Sequence, residues 1–165
     1  MTQVEALRKE MEQEAVTTHK MLERIPDDRL DWQPHSKSMT IRQLATHIAE
    51  IPTWTPMTFT TDGIDFEQMD YNPTVVNSTA ELVALHQKSL QAGLAALATA
   101  TDDQLDPIWT MRSGDVIHSQ ETKGESIRMA FCQTVHHRAQ LGVYLRLLDI
   151  PIPGSYGPSA DEPWV

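Results

Sequence analysis

The last long helical pattern of the chain contains the segment Gln133-Thr134-Val135-His136-His137-Arg138-Ala139-Gln140. Around this segment, apolar residues recur at steps of three and four from about Glu125 to Leu148, which predicts an amphipathic helix. On a helical wheel His137 lies about 65° from the centre of the apolar arc, and Gln133 lies about 105° away on the same flank. Residues four apart on a helix are neighbours, so the two side chains can converge. Polar groups beside a buried stripe are costly without partners, and this flank is therefore a candidate site.

Three further helical patterns precede this one, and the four together predict an all-α, up-and-down four-helix bundle. They extend from about Thr2 to Ile25, from Ser38 or Thr40 to just past His47, and from Ser78 or Thr79 through Leu97. Pro52 should end or kink the second helix, since proline has no N–H and crowds the preceding turn. We expect the last three helices to be antiparallel neighbours and the first to close the bundle.

Three segments of the chain lack the apolar periodicity of a helix. Residues 60–77 are rich in Asp, Thr, Gly and Pro, which favours a long loop, and loops of that length are often functional. Residues 108–111 and 116–118 look like two short strands around a Ser-Gly-Asp turn, which predicts a small hairpin before the last helix. Prolines and glycines in the tail, 149–162, exclude a continued helix.

Composition indicates a water-soluble protein of one domain, residues 1–165. Hydrophobic residues make up 40% and charged residues 22%, and the formal net charge of -10 argues against a nucleic-acid partner, whose phosphates an acidic surface repels. The N-terminus lacks the features of a signal peptide, and no apolar stretch approaches the roughly 20 residues that span a bilayer. The one cysteine, Cys132, is expected to be a small buried residue, and a single thiol fits a reducing compartment. We therefore expect a cytoplasmic protein with no membrane partner.

A second histidine, His47, lies about 90° from the centre of the apolar arc of the second helix. His47, His137 and Gln133 can therefore meet where two helices pack. Neutral imidazoles bind zinc, nickel and iron well, and a metal site for catalysis needs three protein ligands and an open position. Spacing alone leaves another interpretation open, in which both histidines are edge residues bonded to carbonyls or acids.

Other polar residues on the helices receive structural interpretations. His19 and His86 are expected at the surface or the edge of the bundle. His136 points about 165° from the apolar arc, toward solvent or a partner. Arg138 falls near the centre of the arc, and a buried arginine needs an acidic partner, which Asp161 or Glu162 of the tail can supply.

Three stretches give the chain its resemblance to the DinB/YfiT-like family of bacterial four-helix proteins. They are residues 30–49, which end in the second helix, residues 136–146 of the last helix, and residues 151–162 of the tail. The resemblance implies a divalent metal held by three histidines, one on the second helix and two spaced four apart on the last. The first matches His47 and the last matches His137, whereas Gln133 stands where the family has its third histidine. Gln133 offers a weaker amide oxygen, so the resemblance implies a zinc or nickel site that is altered or empty.

The resemblance also implies a choice of functions. Related members resemble thiol-dependent S-transferases, in which the metal lowers the pKa of a bound thiol. The leading expectation is a metal-dependent transferase or hydrolase that acts with a small molecule or a low-molecular-weight thiol. The alternative is a non-catalytic binding or stress-response module with a degenerate metal site. Members of the family are often homodimers, which would provide a partner for His136.

Overall fold

A computed structural model gives the conformation of residues 1–70, 72 and 74–163. In this part of the chain there are five α-helices and three β-strands. The helices are α1 (Gln3–Leu22), α2 (Ile41–Glu50), α3 (Trp54–Thr60), α4 (Thr79–Thr99) and α5 (Lys123–Leu147), and the strands are β1 (Gly63–Asp65), β2 (Ile108–Ser113) and β3 (Val116–Thr122). None of these helices is long and apolar enough to cross a membrane.

Side-chain caps fix where the four long helices begin. Thr2, Thr40 and Thr122 each form a capping box, in which the hydroxyl accepts from the third backbone N–H and the Glu or Gln at that position accepts from the cap's own N–H. Ser78 caps α4 through Glu81 N–H. Of the alternatives in the sequence, Thr40 and Ser78 are therefore the caps, and α2 ends at Glu50, two residues before Pro52.

The helix order is not up-and-down, and this part of the prediction is wrong. Helices α1 and α2 each pack mainly against α4 and α5, so the pairs α1/α2 and α4/α5 lie diagonally across the bundle. The backbone N–H of Thr79, which opens α4, donates to Asp27 just beyond the end of α1 at 2.7 Å, so these two helices are antiparallel. Pairing of Glu10 with Arg128 and of Glu14 with Arg138 shows that α1 and α5 are parallel.

Helix α2 is antiparallel to α5 and parallel to α4. Arg42, near its start, donates to Val76 O just before α4. Beyond its end, Pro52 O lies so close to α4 that a Cβ at Gly93 would approach within 2.8 Å, so glycine permits the contact. The chain therefore runs up, down, down and up. Parallel neighbours need a long crossover connection, and residues 51–78 provide it.

The sequence predicted a loop over residues 60–77, but this connection contains regular secondary structure. It contains α3, although Pro56 lies inside that helix, because proline is tolerated in a first turn whose N–H groups have no partner. It also contains β1, which pairs in parallel with β2 and joins the predicted hairpin in a sheet of order β1-β2-β3. The fold is thus not purely all-α. Tyr71 and Pro73 of the predicted loop lie outside the described residues.

The tail packs on the bundle, as expected, but through other pairs. Arg138 is 2% exposed, and its partner is Glu14 of α1, whose Oε2 lies 2.7 Å from Nη1. Tyr156 of the tail accepts from Arg138 at 3.1 Å and donates to Glu14 at 2.8 Å. Asp161 and Glu162 instead pair with Arg146 and Arg24. The predicted ion pairs of Arg138 with the tail acids are therefore wrong, because α1 supplies the carboxylate.

Candidate metal site

The imidazole rings of His47 on α2 and His137 on α5 are in contact. Their centroids are 4.7 Å apart and their planes are inclined at 81°, an edge-to-face arrangement. The contact follows from the antiparallel packing of α2 and α5, which places the last turn of α2 beside the middle of α5. Trp54, at the start of α3, lies edge-on to His47 with a centroid distance of 5.6 Å.

His47 lies in a setting that favours its neutral form. Burial lowers the pKa of His47 below its ordinary value, and the adjacent His137 lowers this pKa further, while Glu50 opposes the shift. A neutral imidazole has a free nitrogen lone pair, which is the form that binds a metal ion. His47 is therefore in the correct state for a ligand at neutral pH.

His137 is oriented by Gln140, one turn further along α5. Nδ1 of His137 lies 3.0 Å from Oε1 of Gln140, and because an amide oxygen only accepts, Nδ1 must be the donor. The amide nitrogen of Gln140 in turn donates to Nε2 of His136 at 3.1 Å. In the neutral ring of His137, Nε2 then keeps its lone pair. Metal-ligating histidines commonly have their second nitrogen fixed in this way.

Gln133 lies one turn before His137 on α5 and is half-buried. No three His, Cys, Asp or Glu side chains in residues 1–70, 72 and 74–163 are grouped so that they could hold a metal ion. The residues present therefore fit a divalent metal in part. Two imidazoles are strong nitrogen donors, and Gln133, four residues before His137, is a candidate for a third position through its weaker amide oxygen.

A cavity of about 610 Å³ borders His47. Its walls come from α2, α3, α4, α5 and the first two strands, and they are mostly apolar. Among them are Trp54, Met57, Trp109, Met111 and Met129. Such a volume lies within the roughly 300–1,000 Å³ typical of small-molecule sites. His137 and Gln133 lie outside the lining, so His47 is the link between the histidine pair and the cavity.

The sequence did not identify the residues that support the pair. Gln140 could have been found, since its spacing of three from His137 puts both on one face of a helix. Trp54 and the strand residues could not have been found from the sequence, because their approach to His47 depends on the crossover and on the pairing of β1 with β2. The hairpin thus contributes a wall of the cavity, a role that the sequence did not predict.

Two minor predictions are wrong. His86 is buried, with 2% of its surface exposed, and Nδ1 has no hydrogen-bond partner in the described structure. Its ring lies 6.4 Å from that of His19, and burial lowers the pKa of His86 to about 4. Cys132 is exposed on α5 rather than buried, since it lies outside the apolar arc of that helix.

The chain belongs to the DinB family, whose sequence model matches residues 1–163. It is similar to the uncharacterized protein YrdA of Bacillus subtilis strain 168, with 29% identity over 161 residues, which is 93% of this chain and 88% of YrdA.

Solved structures share the fold at lower sequence identity. YfiT from Bacillus subtilis, described as a probable metal-dependent hydrolase with an unusual four-helix bundle topology, superposes with a TM-score of 0.65 at 17% identity, covering 88% of this chain and 87% of YfiT. The mycothiol-dependent maleylpyruvate isomerase gives a TM-score of 0.61 at 13% identity, with 86% of this chain matching 63% of the isomerase. At these identities the likeness concerns the fold alone.

Proposed function

We propose that this protein binds a divalent metal ion between α2 and α5 and uses it in a hydrolytic or thiol-dependent transfer reaction. The observation that carries the proposal is the ring contact of His47 and His137, at 4.7 Å, beside an apolar cavity. Membership of the DinB family and the fold shared with YfiT, a probable metal-dependent hydrolase, support it.

In this proposal His47 and His137 are the principal ligands, and Gln133 is the third ligand through its amide oxygen. Two imidazoles and an amide favour zinc or nickel. When bound, such an ion would lower the pKa of a thiol or water and supply a nucleophile near neutral pH. The chain's own residues have separate tasks: Gln140 fixes the ring of His137, and Trp54 packs against His47 and shields it from solvent.

The cavity is the proposed place for the substrate. Its mostly apolar walls offer water few partners beside His47, which strengthens electrostatic interactions at that end. The isomerase that shares this fold is mycothiol-dependent, so we propose a low-molecular-weight thiol as one of the two reactants. The small-molecule substrate would then lie along the apolar walls with its reacting group toward His47.

Calorimetric titration of the purified protein with Zn²⁺ and Ni²⁺ tests the metal proposal. The wild type should bind one ion per chain, and His137→Ala should remove that binding. His118→Ala provides a matched control, because His118 is an exposed histidine of β3 and should not affect binding. Absence of binding by the wild type to either ion would overturn the proposal.

A second candidate function is a binding or stress-response module with a degenerate site. Gln133 favours it, since it replaces a strong nitrogen donor with a weak oxygen donor. In that case Gln133→His should create metal binding that the natural protein lacks. If the natural protein binds the ion as tightly as Gln133→His does, the degenerate-site function is rejected.

We further propose that the protein is a homodimer. Val143 and Leu147 are 58% and 60% exposed on α5, and His136 lies on the same face at helical spacing. Sedimentation equilibrium should give twice the chain mass, and Val143→Glu should shift the assembly toward monomer. A monomeric wild type at micromolar concentration would contradict this part of the proposal.

A further inference from the structure

The cavity beside His47 has an unusual wall composition. Its apolar lining consists largely of thioether and aromatic side chains: Trp54, Met57, Phe66, Met69, Trp109, Met111 and Met129. Methionine is flexible and polarizable, so it adapts to ligands of different shape and packs well against aromatic rings. Apolar surface predominates in these walls, so they match a mainly apolar ligand better than a carbohydrate or a nucleotide.

Among the described residues of the lining, the single cationic side chain is that of Lys88, an exposed residue of α4. Within the described residues, no carboxylate is within ion-pair distance of Lys88, whereas the arginine and lysine side chains of the sheet and of α5 are all paired: Arg112, Lys123, Arg128, Arg138 and Arg146. Glu50 also lines the cavity, but it accepts from the backbone and the hydroxyl of Thr74, at 3.2 and 2.6 Å, and does not pair with Lys88. An ammonium group is thus available at an apolar cavity in a chain of net charge -10.

We propose that the cavity binds a mainly apolar small molecule with one anionic group, which pairs with Lys88 while the body packs on the Met and Trp walls. An anion is otherwise disfavoured near this acidic chain, so the position of the one cation sets both the orientation and the charge of the ligand. As a statement of substrate class this inference rests on the proposed function, but the binding itself requires no metal.

Fluorescence titration with two related probes tests the proposal in the presence of a metal chelator. The first probe, 8-anilinonaphthalene-1-sulfonate, has an apolar body and one anionic group, and the second, N-phenyl-1-naphthylamine, has a similar body without the charge. Both should bind to the wild type. Lys88→Met keeps the stem and removes the charge, so it should weaken the sulfonate about three- to fivefold and leave the neutral probe unchanged.

Two further variants locate the probes and control for charge. Ala92→Trp adds a large side chain at an exposed lining position of α4 and should weaken both probes at least tenfold. Lys20→Met removes an exposed charge from α1, away from the lining, and should change neither affinity.

The outcomes separate this inference from the metal proposal. Equal effects of Lys88→Met on the two probes would overturn the anionic class of ligand. Unchanged affinities in Ala92→Trp would show that the probes bind elsewhere and would overturn the cavity as the site. Since a chelator is present throughout, a failed zinc titration has no influence on these results, and a failed probe titration leaves the metal proposal standing.

Discussion

The rings of His47 and His137 meet edge to face at 4.7 Å although they come from distant parts of the chain. The contact depends on the antiparallel packing of α2 and α5, and on the hydrogen bond that Gln140 makes with His137. Helix packing brings the two side chains together, and the amide decides which nitrogen of His137 is free. The site is therefore more ordered than two flexible side chains on a surface would be.

Gln140→Met should weaken zinc binding without unfolding the protein. Methionine has a similar length, but its sulfur is only a weak acceptor for Nδ1, so the tautomer and the ring orientation of His137 are no longer firmly fixed. Loss of such a supporting group typically lowers metal affinity about 10–100-fold. Calorimetric titration measures the affinity, and thermal unfolding checks the fold.

Gln87→Met is the matched control for that substitution, since Gln87 is exposed on α4 and the histidine pair lies on α2 and α5. Its zinc affinity should equal that of the wild type. Equal affinities for Gln140→Met and Gln87→Met would mean that Gln140 does not position His137.

Stability should decrease in mild acid because His86 is buried in its neutral form. Its folded pKa, about 4, lies below the ordinary value of 6.5, so the unfolded chain binds the proton more readily. The stabilisation is complete above pH 6.5 and is lost as the pH falls toward 4, by roughly 3 kcal/mol for a shift of this size. Urea unfolding at several pH values gives the free energy of unfolding across this range.

His86→Leu should remove most of this pH dependence. His35→Leu, at an exposed loop position, should retain the wild-type slope and serves as its control. A wild type whose free energy of unfolding is constant between pH 6.5 and 4 would contradict the buried neutral state of His86.

Glu14→Gln should destabilise the protein strongly. The substitution leaves the guanidinium of Arg138 buried without its carboxylate, which typically costs about 3–5 kcal/mol. It also replaces the charged acceptor of the Tyr156 hydroxyl with a neutral amide oxygen, which weakens that hydrogen bond, so the tail should become more accessible to proteases. Urea unfolding and limited proteolysis measure the two effects.

Glu12→Gln removes an exposed acid that pairs with Arg8 at 3.5 Å, and it should change stability by less than about 1 kcal/mol. Similar losses in Glu14→Gln and Glu12→Gln would show that the buried pair contributes no more than a surface pair.

Gly63→Ala should separate β1 from β2. A Cβ at this position would lie 2.2 Å from Thr110 O, so the backbones must move apart, at a cost of roughly 1–3 kcal/mol. Since Trp109 and Met111 of β2 line the cavity, affinity for the neutral naphthylamine probe should fall as well. Gly124→Ala, in the first turn of α5, is the control and should leave the probe affinity unchanged. If Gly63→Ala were as stable as the wild type and bound the naphthylamine probe as tightly, that result would contradict the strand pairing.

Local signals predicted the long helices and the histidine pair, because caps, prolines and apolar periodicity act within a few residues. Thr40 and Pro52 fix the ends of α2 in this way. The relative directions of the helices could not be predicted, because they depend on whether residues 51–78 form a short reversal or a crossover between α2 and α4. Strand β1 is three residues long and is stabilised by its pairing with β2, so periodicity could not reveal it. The cavity depends on both features and was therefore missed.

Anomalous diffraction at the zinc edge, from crystals soaked in Zn²⁺, tests the central claim most directly. The account predicts a peak between α2 and α5, about 2.0–2.1 Å from Nε2 of His137 and from one ring nitrogen of His47. A soaked crystal with zinc peaks elsewhere and none between these two rings would contradict it.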